Sequence, residues 1–231
     1  MTGRIHSLQS LGAVDGPGMR YVVFMQGCPL RCAYCHNPDT WDYCGGEEMS
    51  AEKLVKKILR IRPYLKNGGV TVSGGEPLSQ APFVTELFKL LHDENIHTAL
   101  DTSGVCQIDE AKALLEHTDL VLADLKFSDE IQYKEHCGGN LKQVEKFLTL
   151  TEEMNVPLWI RHVVIPNLTD SLENLRNIKQ KAESYKNLER IEWLPFHKLC
   201  ENKYKLMGID FPLSNTSEMK QEELDKLIEH L

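Results

Sequence analysis

The sequence predicts an α/β fold, an open six-unit barrel in which helices wrap the outside of a parallel sheet. Three observations carry that prediction: six short apolar runs rich in Val, Ile and Leu, stretches of helical periodicity between them, and polar motifs at the ends of the runs. No stretch rich in Pro, Gly or Ser divides the 231 residues, so 1–231 reads as one domain with one core. With 42% hydrophobic residues and a formal net charge of -8, the composition is that of a soluble globular protein and argues against a general nucleic-acid surface. No apolar run approaches the ~20 residues of a membrane-spanning helix, and the N-terminus lacks a basic segment followed by an apolar one, so the expected location is cytoplasmic.

The elements follow in order. The chain opens on a loop whose segment 14–20 (VDGPGMR) is a turn by chemistry, because glycines permit unusual backbone angles and Pro17 fixes one. The first strand is 21–25 (YVVFM), and a cysteine-rich loop follows it. Leu54, Val55, Ile58 and Ile61 form a helical stripe before the second strand at 70–72. Gly74 and Gly75 turn the chain toward a helix from near Gln80, striped by Phe83, Val84, Leu87, Phe88 and Leu91. Strands at 97–100, 120–123 and 158–164 come next; then a stripe of Leu172, Leu175, Ile178 and Ala182 leads to the sixth strand at 191–194. Met219, Leu224, Leu227 and Ile228 suit a closing helix.

Reactive groups of parallel α/β folds gather at the carboxyl edge of the sheet. The polar motifs of this chain are expected there. The cysteine loop follows the first strand, Ser73-Gly74-Gly75-Glu76 the second, Asp101-Thr102-Ser103-Gly104 the third and Asp124-Leu125-Lys126 the fourth, while Arg161 lies within the fifth and His197 follows the sixth.

Cys28, Cys32 and Cys35 stand as CxxxCxxC, supplying three thiolates where an iron–sulfur cube has four irons. Electron-carrying cubes usually take four cysteines, so one iron is left to bind a small molecule. A zinc site with His36 or Cys44 as fourth ligand is the alternative, although structural zinc sites more often pair CxxC with a distant second pair. Cys44, Cys106, Cys137 and Cys200 form no second motif and read as small, partly buried side chains. An open iron needs a bidentate ligand, and the amino and carboxylate groups of a methionine moiety provide one. Carbonyls beside Gly74 and Gly75, with the charge of Glu76, suit its ammonium. Lys126 or Arg161 suits its carboxylate, or pairs structurally with Asp101 or Asp124. His197 suits an adenosine portion, and Asp15 is placed to anchor the backbone of an incoming substrate segment.

The CxxxCxxC run with Tyr34 before its last cysteine resembles the radical S-adenosylmethionine superfamily. Seven motifs in order (14–18, 27–37, 73–76, 101–104, 124–126, 159–161 and 194–197) resemble, over nearly the whole chain, its glycyl-radical-enzyme activases of the formate-lyase type. That resemblance implies a partial (β/α)6 TIM-like barrel, a 4Fe-4S cluster on Cys28, Cys32 and Cys35, and S-adenosylmethionine held by Tyr34, His36, Ser73, Gly74, Gly75, Glu76, Lys126, Arg161 and His197. It also implies a Na⁺ or K⁺ ion on Asp101, Thr102, Asp124 and the carbonyl of Leu122, where the family often has Met. The implied reaction is reductive cleavage of S-adenosylmethionine to place a radical on the glycine loop of pyruvate formate-lyase, by a monomer that receives its electron from flavodoxin or ferredoxin. Related activases often carry an inserted ferredoxin-like module with further cysteines before the GGE motif; here only Cys44 lies in that interval. A different glycyl-radical partner or a small-molecule substrate is the alternative.

Overall fold

The structure, a computed structural model, describes residues 1–65 and 67–231. Eight strands form a single sheet: β1 (Thr2–Gly12), β2 (Arg20–Met25), β3 (Glu47–Ser50), β4 (Gly69–Gly74), β5 (His97–Thr102), β6 (Leu120–Asp124), β7 (Leu158–Val164) and β8 (Leu188–Pro195). Their spatial order is β3-β1-β2-β4-β5-β6-β7-β8. From β2 to β8 every neighbouring pair is parallel, which matches the six expected strands and the expected fold class.

Two strands are additions to the sequence reading. The stretch expected as an opening loop is β1, antiparallel to β2, and β3 pairs antiparallel with β1 on its other side. In β1 most positions are exposed or half-buried and only Gly3, Ile5 and Gly12 are buried, so no continuous apolar run betrays it. The parallel strands are covered on both faces and read as unbroken apolar runs; Tyr21, Val22, Val23 and Met25 are all buried. The observed strands also run further than their apolar cores. Asp101, Thr102 and Asp124, expected just beyond strand ends, are the last residues of β5 and β6, and Gly74 ends β4.

Helices α1 (Ala51–Leu59), α2 (Ala81–Asp93), α3 (Ile108–Leu115), α4 (Glu130–Cys137), α5 (Leu141–Glu153) and α6 (Leu172–Glu183) fill the crossovers, and α7 (Glu201–Met207) and α8 (Gln221–Ile228) follow β8. Several start on the side-chain caps that satisfy their free amides. The Oγ of Ser50 accepts from Lys53 N–H, Asp129 from Ile131 and Gln132, Asn140 from Lys142, and the Oγ of Ser171 from Asn174. The expected stripes face the sheet: Leu54, Val55 and Ile58 on α1, Phe83, Val84, Leu87, Phe88 and Leu91 on α2, and Leu175, Ile178 and Ala182 on α6 are buried. Ile61 lies just past α1 and Met219 just before α8. Among the described residues no helix is long and apolar enough to cross a membrane.

The sheet does not close on itself, and the loop after β2 spans the gap. The His36 Nε2 lies 3.2 Å from His197 Nδ1 and 3.0 Å from His197 O, at the far edge strand. Beside them Tyr204 of α7 donates to the Cys35 carbonyl at 3.1 Å, and the Lys203 ammonium reaches Asn37 and Asp39.

Candidate active site

One cavity of about 180 Å³ opens at the carboxyl edge. Cys28, Cys32, Tyr34, Cys35 and His36 form one wall, Ser73, Gly74, Gly75 and Glu76 a second, and Asp101, Thr102, Asp124 and Lys126 a third. Four other residues singled out in the sequence are outside this lining: Asp15, Leu122, Arg161 and His197. Leu30, Asn37, Thr40, Ser103 and Val163 also line it, and sequence reasoning assigned them no part.

The cysteine loop is rigidly seated. Gly27 N–H donates to Thr40 O at 2.7 Å, and Arg31 N–H and Ala33 N–H donate to Cys137 O and His136 O at 2.9 and 2.7 Å. Burial pushes the Cys28 thiol up to about 12 and the Cys35 thiol to about 11. Cys32 moves the opposite way, lowered chiefly by the neighbouring Cys137 side chain. Among the described residues no group of three His, Cys, Asp or Glu is placed to hold a metal ion. The two proposed zinc partners are otherwise disposed, His36 on His197 and Cys44 exposed to solvent. Three thiols on one wall of the cavity, with no fourth protein ligand beside them among the described residues, fit a cluster with an open iron better than one tetrahedral ion. A second fit is the Tyr34 hydroxyl, buried against the cavity without a hydrogen-bond partner.

The second wall departs from its sequence reading in detail. Gly74 has φ +105°, and a Cβ there would sit 2.4 Å from Met25 N; a Cβ on Gly75 would sit 2.3 Å from Gly27 O. The glycines therefore let the β4 end pack against the backbone entering the cysteine loop, locking two walls together. Gly75 N–H donates to Met25 O and Glu76 N–H to Gly27 O, at 2.9 and 2.8 Å. Glu76 is 1% exposed, and its oxygens are fully engaged. Oε1 accepts from Leu78 N–H at 3.0 Å and Thr102 Oγ1 at 2.5 Å; Oε2 accepts from Ser103 N–H at 2.9 Å and Ser103 Oγ at 2.5 Å. Burial raises its pKa, opposed by those donors.

The third wall is an array of paired charges. Lys126 Nζ lies 2.7 Å from Asp124 Oδ2 and 5.8 Å from the Tyr34 ring centre. Burial by itself would lower the Lys126 pKa, but Asp124 and the Cys32 sulfur outweigh it and raise it. Asp101, raised mainly by burial, accepts from Ser73 Oγ at 2.7 Å and pairs with Arg161 at 3.4 Å. Arg161 also donates to Glu192 at 3.0 Å and to the Val14 carbonyl at 2.5 Å. All three of its nitrogens are thus committed within the protein, the structural pairing that the sequence left as one of two options. Through Val14, Arg161 fastens the loop of residues 14–18 inside the sheet, where Thr71 Oγ1 donates to Asp15 O at 2.6 Å. Asp15 is half-buried there, its pKa raised by burial.

The matching family model is the radical SAM superfamily, over residues 22–178. The chain is 47% identical over 231 residues to the pyruvate formate-lyase-activating enzyme of Clostridium pasteurianum, covering 99% of this chain and 97% of that protein. It is 42% identical over 224 residues to the enzyme of the same name from Staphylococcus epidermidis, covering 93% and 89%. A solved domain of pyruvate-formate lyase-activating enzyme from Bacteroides vulgatus superposes with a TM-score of 0.58 at 23% identity, over 71% of this chain and 92% of that one. Streptococcus suis SuiB bound to S-adenosylmethionine superposes at 0.65 and 15%, over 88% and 44%, a likeness of fold.

Proposed function

The chain belongs to the radical SAM superfamily and to its pyruvate formate-lyase-activating enzymes, and we propose that it places a glycyl radical on pyruvate formate-lyase from the cavity described above. The observation that carries this reading is the convergence of the CxxxCxxC thiols, the GGE segment and the Asp124–Lys126 pair on one cavity. Cys28, Cys32 and Cys35 would hold an iron–sulfur cube, which would supply the electron for reductive cleavage of S-adenosylmethionine to methionine and a 5′-deoxyadenosyl radical able to take a hydrogen atom from the partner's glycine.

The residues supply position and charge. Backbone groups of Ser73, Gly74 and Gly75 line the cavity and meet the cofactor's ammonium, with Glu76 adding negative potential from behind. Because four donors already fill the Glu76 carboxylate, it acts on the ammonium through its field and by clamping β4 to β5. Lys126 meets the cofactor's carboxylate, Tyr34 offers its free hydroxyl, and the His36–His197 pair bounds the nucleoside side. Asp101 and Asp124, with the Thr102 and Leu122 backbone, hold a Na⁺ or K⁺ ion; two carboxylates at adjacent strand ends support this. Asp15, tied through Val14 and Arg161 to the third wall, receives the partner's glycine loop. The molecule works as a single-domain cytoplasmic monomer and takes its electron from flavodoxin or ferredoxin, consistent with the lack of a second cysteine motif.

Anaerobic reconstitution tests the reading. With S-adenosylmethionine, a low-potential reductant and pyruvate formate-lyase, a glycyl-radical doublet is expected in the electron paramagnetic resonance spectrum. Iron-loaded protein that released 5′-deoxyadenosine but left the partner without a radical would overturn the choice of partner.

A further inference from the structure

Thr71 belongs to no motif of the sequence and lies outside the cavity lining, yet it is the point at which β4 holds the loop of residues 14–18. Side chains alternate along a strand, so Thr71 shares a face with Ser73, which lines the cavity two residues on. Thr71 is fully buried, and its Oγ1 lies 2.9 Å from Arg20 Nε and 2.6 Å from Asp15 O. A guanidinium only donates and a carbonyl only accepts, so the two neighbours together direct the hydroxyl proton to Asp15 O. Arg20 is itself held: it is fully buried, and its other nitrogens donate to Val70 O at 2.5 Å and to His97 Nδ1 at 3.1 Å. From the other side Arg161 donates to Val14 O at 2.5 Å. Two guanidiniums thus bracket the loop and hold successive carbonyls, one directly and one through Thr71. The Asp15 carboxylate pairs with neither and has no hydrogen bond among the described residues. Gly18 seats the end of the loop at φ +69°, where a Cβ would sit 1.7 Å from Asn67 O.

We propose that Thr71 is a positioning residue for the partner: its hydroxyl, aimed by Arg20, pins the Asp15 carbonyl and so presents a free Asp15 carboxylate to backbone N–H groups of the incoming glycine loop. The inference rests on the proposed function above, in which Asp15 receives that loop. Its physical basis is preorganisation. A loop already held in its binding conformation loses little freedom when the partner docks, whereas a loop released from one anchor must be ordered at that moment and binds more weakly. Removing the hydroxyl therefore weakens capture of the partner and leaves the cysteine loop, Glu76 and Lys126, none of them bonded to Thr71, in place. Thr71→Ser keeps the hydroxyl and Thr71→Val keeps the shape, so the two variants separate the bond from the packing.

Wild-type protein, Thr71→Val, Thr71→Ser, Asp15→Ala and the double variant Asp15→Ala with Thr71→Val are reconstituted anaerobically and their iron is counted. Two quantities are read for each: affinity for pyruvate formate-lyase by surface plasmon resonance, and the rate of glycyl-radical formation against its concentration at saturating S-adenosylmethionine. Equal iron content is expected throughout. Thr71→Val should raise the dissociation constant and the half-saturating concentration roughly tenfold, with little change in the maximal rate, while Thr71→Ser stays near wild type. In the Asp15→Ala background Thr71→Val should add nothing further, because both act on one contact. Wild-type affinity in Thr71→Val, equal losses in Thr71→Val and Thr71→Ser, or a full additional loss in the double variant would reduce Thr71 to packing and overturn the proposal. If Thr71→Val does not fold, Gly16→Ala takes its place, straining the same loop at φ +119° with Thr71 intact; wild-type affinity or a full additional loss again counts against the proposal. Asp15→Ala with wild-type affinity would overturn the role given to Asp15 and this proposal with it, whereas wild-type protein that formed no radical on pyruvate formate-lyase would overturn the choice of partner on which both rest.

Discussion

Glu76 shows what a buried carboxylate does when its lone pairs are spent. Its four donors come from Leu78, Thr102 and Ser103, so the side chain joins the end of β4 to the end of β5. Glu76→Gln keeps the shape but puts an NH₂ group against one pair of those donors. Leaving buried donors unpaired costs roughly 1–3 kcal/mol each, so urea denaturation should show a loss of about 2 kcal/mol or more, together with a marked loss of S-adenosylmethionine binding. Unchanged stability would mean that the carboxylate is free to turn into the cavity. At the thiols, Cys35→Ala should abolish stable cluster uptake and bleach the brown protein, and iron analysis checks it. The cysteine triplet and the GGE segment were legible in the sequence because spacing alone defines them. The role of Ser103 was not, since its two bonds to Glu76 cross 27 positions of chain.

Strands and helices carry the ionic and pH behaviour. In β7, Arg161 joins Asp101 of β5, Glu192 of β8 and the carbonyl of Val14. Arg161→Ala leaves Asp101 buried beside Asp124 without its cation, a class of change that costs about 3–5 kcal/mol. Denaturation should register that loss, and a double variant Arg161→Ala with Asp101→Asn should recover part of it. The next residue, His162, is buried, donates to Leu125 O at 2.7 Å and has its pKa lowered by burial to about 4. Its unfolded value is near 6.5, so the unfolded chain binds the proton first as pH falls. The neutral ring therefore contributes stability above about pH 6.5 that is lost progressively toward about pH 4, up to roughly 3 kcal/mol. Denaturation midpoints at pH 7 and pH 5 should differ in that direction, and His162→Gln should flatten this part of the dependence. The six parallel strands were readable because burial on both faces leaves continuous Val, Ile and Leu runs. The opening strand β1 was not, because most of its side chains stay exposed or half-buried and its pairing with β2 is a tertiary fact.

At the scale of the whole molecule, an open parallel sheet turns distant motifs into one site. Strand ends from β4, β5 and β6 point the same way, and the cysteine loop after β2 folds over them. The gap between the sheet's two ends is bridged above the cavity by His36 with His197 and by α7 with the loop. The order of strand ends was foreseeable from alternation; the bridge was not, because residues 36 and 197 meet only when the sheet curls. Tyr204→Phe removes the hydroxyl bond from α7 to Cys35 O, and faster loss of iron to a chelator is expected, with little change in unfolding midpoint. A chelation rate equal to wild type would show that α7 does not shield the loop. The central claim is that three cysteines leave one iron of the cube free for S-adenosylmethionine. Mössbauer spectroscopy of ⁵⁷Fe-reconstituted protein tests it most directly. One of the four irons should change its isomer shift on adding S-adenosylmethionine while the other three stay put, whereas four irons unmoved by the nucleotide would contradict the account.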